Sequence, residues 1–172
     1  MSYIISIDVG IKNLGICVFD FTCMKVVYWR NVSLCPSGRY CPSDNVMYVR
    51  EFVQKHSSYF EHAQKVIIEK QMRPNMRIVE ALLHSMFYDQ ALIVSPKAVK
   101  AHFGLSTRDY RLNKQRAVEW ADLFLLHNAP MVAQAEVQSY RDRRKKDDLA
   151  DSLVLLFFYL DTYSNQLEVT FL

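Results

Sequence analysis

The sequence predicts an α/β chain on a mixed five-stranded sheet, three antiparallel strands followed by two parallel ones, with helices on both faces. Three apolar, β-branched runs follow one another at the N-terminus with only short polar breaks between them. Two later runs, 66–68 and 91–94, are apolar throughout, as strands covered on both faces are. Segments of helical period separate those two runs and follow the second. With 172 residues and no shift in composition, the chain is expected to form one domain, 1–172, with a sizeable core.

Each element has its own signal. Tyr3–Asp8 is the first strand, and 14–19 and 24–29 are the second and third, joined by tight turns into a meander. Residues 33–43, with Ser, Cys, Pro and Gly38, form a loop. Ser43 or Asp44 then caps a helix to about Tyr59, with Val46, Val49, Phe52 and Val53 on one face. The fourth strand ends at Glu69, and Asn75 is the expected N-cap of a helix carrying Ile78, Val79, Leu82, Leu83, Met86 and Phe87. After the fifth strand, Ser95-Pro96 opens a short helix with proline at its first position. Helical periods follow over about 113–127 and 130–138, and the basic stretch 141–146 reads as a mobile loop. A last helix begins near Asp147, and 167–172 has the pattern of a short terminal strand.

Composition excludes several classes. Only 4 Gly and 5 Pro argue against collagen-like, low-complexity and Gly-rich repeat chains. The apolar stretch between Asp151 and Asp161 is half the length a membrane span needs, and the N-terminus lacks a signal-peptide pattern, so a soluble intracellular protein is expected. Cys17, Cys23, Cys35 and Cys41 contain no C-x-x-C pair, which favours reduced thiols over a zinc site. The net charge of +3 names no partner, but its distribution does. Residues 95–146 hold 11 Lys/Arg against 5 Asp/Glu. Lys100, Arg108, Arg111 and the run Arg141, Arg143, Arg144, Lys145, Lys146 form a basic half suited to a phosphate backbone. A solvated face would explain a charge cluster alone.

Four carboxylates stand where structure alone does not ask for them. Asp8 lies inside a strand, where a carboxylate is costly unless something binds it. Glu69 ends the fourth strand, and parallel pairing with the first would bring it beside Asp8. Asp148 and Asp151 are three apart and share one helical face. Each has a plain alternative, such as an N-cap at Asp147 or Asp148, or a Glu69 pair with Lys70 or Arg73. Together, without clustered His or Cys, they suit Mg²⁺, with Mn²⁺ able to substitute. Two such ions can activate a water and stabilise the leaving oxygen of a phosphodiester, and an acidic centre beside a basic stripe is a nuclease arrangement.

Ile7-Asp8-Val9-Gly10-Ile11-Lys12-Asn13-Leu14-Gly15 resembles the first motif of the ribonuclease H-like nucleases of the RuvC type. Ile67-Ile68-Glu69-Lys70-Gln71 resembles their second acidic motif, and Lys145-Lys146-Asp147-Asp148-Leu149-Ala150-Asp151-Ser152 their third. The segments span nearly the whole chain in the family's order, and the pattern is most similar to the poxvirus Holliday junction resolvases. The resemblance implies a ribonuclease H-like fold and two metal ions held by Asp8, Glu69, Asp148 and Asp151. It also implies paired nicks in four-way DNA junctions, leaving a 3′-hydroxyl and a 5′-phosphate, in recombination or the processing of viral concatemers. The two-fold symmetry of such a junction calls for a C2 homodimer, with the helix from Asn75 to about Tyr88 as a candidate face; a host-cytoplasmic location follows from the resemblance, and no nucleotide cofactor or membrane partner is expected. The segment 95–100 with Phe103-Gly104, and Lys114, resemble stretches carrying the family's basic active-site residues, with Lys114 ranked above Lys100.

The first motif alone is weak, because Asp-x-Gly-x-x-x-x-Gly also opens the actin and sugar-kinase type ATPases. That fold needs two such halves and a second Gly-rich loop, and the remaining glycines, Gly38 and Gly104, stand in unrelated contexts. A non-catalytic nucleic-acid-binding relic would be expected to lose at least one acid. A relative that cuts structured RNA or flapped DNA stays open.

Overall fold

Side chains of the central strands alternate between two layers, and that alternation decides where the helices pack. The computed structural model describes residues 1–35 and 39–163. β1 (Tyr3–Asp8) sends Ile5 and Ile7 into one hydrophobic cluster and Ile4 into the other. It pairs antiparallel with β2 (Leu14–Asp20), which pairs antiparallel with β3 (Lys25–Val32). On its other side β1 runs parallel to β4 (Ala63–Glu69), and β4 parallel to β5 (Ala91–Val94). The order among the described residues is β3-β2-β1-β4-β5, the mixed sheet that the sequence predicts.

One face is covered by α1 (Asn45–Lys55), α2 (Ser57–Phe60) and α3 (Pro74–Met86), through Tyr48, Val49, Phe52, Phe60, Val79 and Leu83. The other carries α4 (Pro96–His102), α5 (Tyr110–Asn128), α6 (Gln134–Arg141) and α7 (Asp147–Tyr163). α7 is buried from Asp148 through Leu160, because it lies between the sheet and α5. Burial of Leu149, Leu153, Leu155, Leu156 and Leu160 is worth roughly 1.5–3 kcal/mol each. The position of its first turn is therefore fixed by core packing. No helix of the described residues is long and apolar enough to cross a membrane.

Several expectations need correction. The helix expected to run unbroken to Tyr59 breaks at His56, whose buried ring contacts the Phe52 carbonyl at 2.8 Å and the Tyr28 hydroxyl at 3.1 Å. Val46 is exposed, not on the buried face. α3 starts two residues early, at Pro74, because Arg73 takes the extended conformation that a following proline favours; Arg73, not Asn75, is its cap. The third strand is shifted toward Val32, since Met24 turns the chain with φ 55°. The segment expected as one helix over 130–138 is a 3-10 turn (Ala129–Met131) followed by α6. A zinc site using all four cysteines is excluded by the sheet itself: Cys17 and Cys35 sit in the clusters on opposite faces. The expected strand 167–172 lies outside the described residues, as does part of the loop 33–43.

Candidate active site

Strand parity brings the first two carboxylates together. Ile4 packs on the α7 side and the Ser6 hydroxyl donates to the Ser152 carbonyl of α7 at 2.7 Å, so Asp8, two residues on, faces α7 as well. In β4, Ile67 packs on that same side, and Glu69 follows it at the same parity. The parallel register aligns Ile7 with Ile68, placing Asp8 next to Glu69 at the carboxyl ends of two central strands. Asp148 and Asp151, both buried, project from the first turn and a half of α7 into this space.

Close approach of backbone makes the convergence possible. A Cβ on Gly15 would stand 2.3 Å from the Asp148 carbonyl oxygen, so only glycine lets β2 and the start of α7 touch. Gly10 permits the turn after Asp8, where a Cβ would lie 2.4 Å from the Asn13 carbonyl oxygen.

Lysines stand among the acids. Lys114 of α5 places its Nζ 3.1 Å from Asp151 Oδ2, 3.4 Å from Asp148 Oδ1 and 3.2 Å from Asp147 Oδ2. Lys100 of α4 lies 3.4 Å from Asp151 Oδ1, and Lys145 donates to Asp148 Oδ2 at 2.9 Å. The acids and lysines line one open cleft of about 940 Å³. Lys100 and Lys145, expected to grip DNA, thus reach the carboxylates themselves. Arg108, Arg111, Arg141, Arg143 and Arg144 are exposed outside the cleft, and Lys146 pairs at 3.7 Å with Asp122. Sequence reasoning did not place Lys12, Asn13, Lys97, Tyr110 or Asp147 in the cleft, though all line it. Lys12, Asn13 and Asp147 were signalled by lying inside the first and third motifs, Lys97 by lying inside the family-like segment 95–100, and Tyr110 only by its place in the basic half.

Burial, joined by the negative charges of Glu69, Asp151 and Asp148, holds Asp8 well above the ordinary carboxylate range. Burial and the Asp151 charge push Glu69 up to about 7, with Lys100 and Lys114 opposing. Burial disfavours the Lys114 ammonium, but Asp151, Asp8, Asp148 and Asp147 outweigh it and raise its pKa. For Asp147, Lys114 and Lys145 outweigh burial and lower it. Among the described residues, no three His, Cys, Asp or Glu side chains close into a preformed ion cage. The donor set nevertheless fits a hard divalent cation. It offers only carboxylate oxygens, and the repulsion raising Asp8 and Glu69 is what such a cation relieves.

This predicts a pH signature. Glu69 binds its proton more tightly folded than unfolded, so its stabilising contribution is full below its ordinary value of 4.5 and is lost as pH rises through about 7. In a chelator, the thermal midpoint is expected to fall across that window, and added Mg²⁺ to restore it at the upper end. A midpoint that rises across the window with chelator present would contradict the assigned environment of Glu69.

The model of the family described as poxvirus A22 protein matches residues 2–162. The chain belongs to that family. The A22 family chain is similar in fold to the fowlpox virus Holliday junction resolvase, with a TM-score of 0.67 at 20% identity over 93% of this chain and 98% of that one. It also resembles the yeast mitochondrial Holliday junction resolvase Ydc2, with a TM-score of 0.64 at 18% identity over 96% and 86% of the two chains. For Thermus thermophilus RuvC in complex with a Holliday junction substrate, the TM-score is 0.53 at 13% identity over 95% and 98%. No curated protein matches the chain in sequence. The fold is therefore the ribonuclease H-like fold of the RuvC-type resolvases.

Proposed function

We propose that this A22 family chain is a Mg²⁺-dependent endonuclease that resolves four-way DNA junctions by symmetric paired nicks, with 1–172 acting as one nuclease domain. The observation that carries the reading is the convergence of Asp8, Glu69, Asp148 and Asp151 from three elements in one open cleft, with lysines among them. The resolvases that share its fold support the choice of substrate, two of them solved with a Holliday junction.

Two divalent ions held by Asp8, Glu69, Asp148 and Asp151 would supply the Lewis acidity for phosphodiester hydrolysis. Lys114 and Lys100 neutralise the acids and stand where a scissile phosphate and its developing charge would be met. Asp8, which feels the charges of Glu69, Asp151 and Asp148 together, would be a shared ligand of those ions.

Arg141, Arg143 and Arg144, with Arg108 and Arg111, hold the phosphate backbone outside the cleft, where contacts read shape and not sequence. Replacing Arg141, Arg143 and Arg144 by Gln is expected to weaken junction binding about tenfold or more and to flatten its dependence on salt. An unchanged salt slope would remove these residues from the interface.

Two opposed nicks call for two sites related by a two-fold axis, which a homodimer provides. α3 has the surface for it: Val79 and Leu83 face the core while Ile78 and Met86 are exposed. A scattering mass of two chains at micromolar concentration is expected, reduced to one by Ile78→Glu with Met86→Glu. A wild-type mass of one chain would contradict the dimer. Family membership among poxviruses makes the host cytoplasm the expected site of action. The test of the function itself is cleavage of a fixed four-way DNA junction in Mg²⁺, with Asp8→Asn alongside.

A further inference from the structure

The basic loop and the acidic turn share an anchor. Trp29 of β3 is fully buried, and its indole stacks on Tyr140 of α6 with centroids 4.4 Å apart and planes 12° from parallel. Its Nε1–H donates at 2.9 Å to the Leu149 carbonyl, between Asp148 and Asp151 in sequence. Its backbone N–H donates at 2.8 Å to Glu136, which also pairs with Arg30, so α6 is fastened to β3 by Glu136 as well as by the indole stack. Lys146, the last residue of the basic loop, holds its ammonium 4.7 Å from the Tyr140 ring centroid. The loop 142–146 thus leaves α6 just after Tyr140 and returns to that same ring before α7 begins.

We infer that Trp29 and Tyr140 are positioning residues that couple phosphate binding on the basic loop to the placement of Asp148 and Asp151. Resting on the nuclease reading above, this adds that the DNA grip and the reacting centre are one mechanical unit. A phosphate drawing on Lys146 competes with its contact to Tyr140, and Tyr140 is stacked on the residue that holds the first turn of α7. The Leu149 carbonyl also accepts from the Ser152 hydroxyl at 2.8 Å, so a change in the Trp29 bond is felt on both sides of Asp151.

The chain has two tryptophans, Trp29 and Trp120, so a Trp120→Phe background makes emission report Trp29 alone. With Asp8→Asn added to block cutting, saturation with a four-way junction in Mg²⁺ is expected to change that emission, although the buried indole cannot touch DNA. The change should vanish when Lys146, whose ammonium lies over the Tyr140 ring, is replaced by Gln, at junction concentrations that still saturate binding. In kinetics, Trp29→Phe removes the bond that seats the first turn of α7 and should lower the single-turnover rate at saturating junction about tenfold, with junction affinity unchanged. Tyr140→Phe, which keeps the ring and its stack, should restore wild-type behaviour where Tyr140→Leu does not. Silent Trp29 emission at full saturation would overturn the coupling, whether or not Trp29→Phe folds. So would a Trp29→Phe rate equal to wild type. If wild-type protein binds junctions without cutting them, the nuclease reading fails while the emission arm still reports on the coupling.

Discussion

Asp8→Asn is expected to abolish junction cleavage, by roughly a thousandfold or more, while leaving junction affinity unchanged. The size follows if Asp8 is a ligand of the proposed metal centre, which would supply several kcal/mol of transition-state stabilisation. The sparing of affinity follows because the exposed arginines, and not the acids, meet most of the backbone. The variant should also fold better when divalent ions are chelated. Asp8 is held well above the carboxylate range by burial and by Glu69, Asp151 and Asp148, so an uncharged isostere relieves a repulsion. Single-turnover cleavage, junction anisotropy and a thermal midpoint in chelator check the three outcomes. A collapsed midpoint would assign Asp8 a structural role.

Gly15→Ala is expected to damage both stability and cutting without touching any charged group. The added Cβ meets the Asp148 carbonyl oxygen at 2.3 Å and the Ser152 Cβ at 3.2 Å, both on a helix packed too tightly to withdraw. Overpacking of this kind costs about 1–3 kcal/mol, and relief requires the first turn of α7 to leave its seat on β2. Asp148 and Asp151 would move with it, so the fall in cleavage should exceed what the loss of folded protein explains. Chemical denaturation beside cleavage corrected for the folded fraction separates the two. Wild-type values in both would mean that α7 is not seated against β2.

The carboxylates were legible because local rules place them. A two-residue period puts Asp8 and Glu69 on the same side of the sheet as Ser6 and Ile67, and a three-residue spacing puts Asp148 and Asp151 on one side of a helix. The five strands were legible for the same reason. What stayed hidden depends on partners distant in sequence. The helix break at His56 reflects a contact with Tyr28 of β3. The third strand extends through Arg30 because Glu136, on a helix more than a hundred residues later, satisfies its charge. Lys145 is the exception: its partner Asp148 lies only three residues on, and the contact was missed because the charge run as a whole reads as a phosphate patch. Lys114 is one of several lysines in the basic half, and nothing local marks it as the one that enters the acidic cleft. Its place came from family resemblance, and its charge environment became visible only once α5 was packed against α7.

The most direct test of the proposed function is cleavage of a fixed four-way DNA junction in Mg²⁺, with linear duplex, flap and branched RNA as competing substrates and Asp8→Asn alongside. The expected result is a pair of symmetric nicks on opposed strands of the junction, little cutting of the other substrates, and none by the variant. Equal or faster cutting of flaps or branched RNA would contradict junction resolution while leaving a nuclease, and binding without any cutting would contradict the nuclease itself.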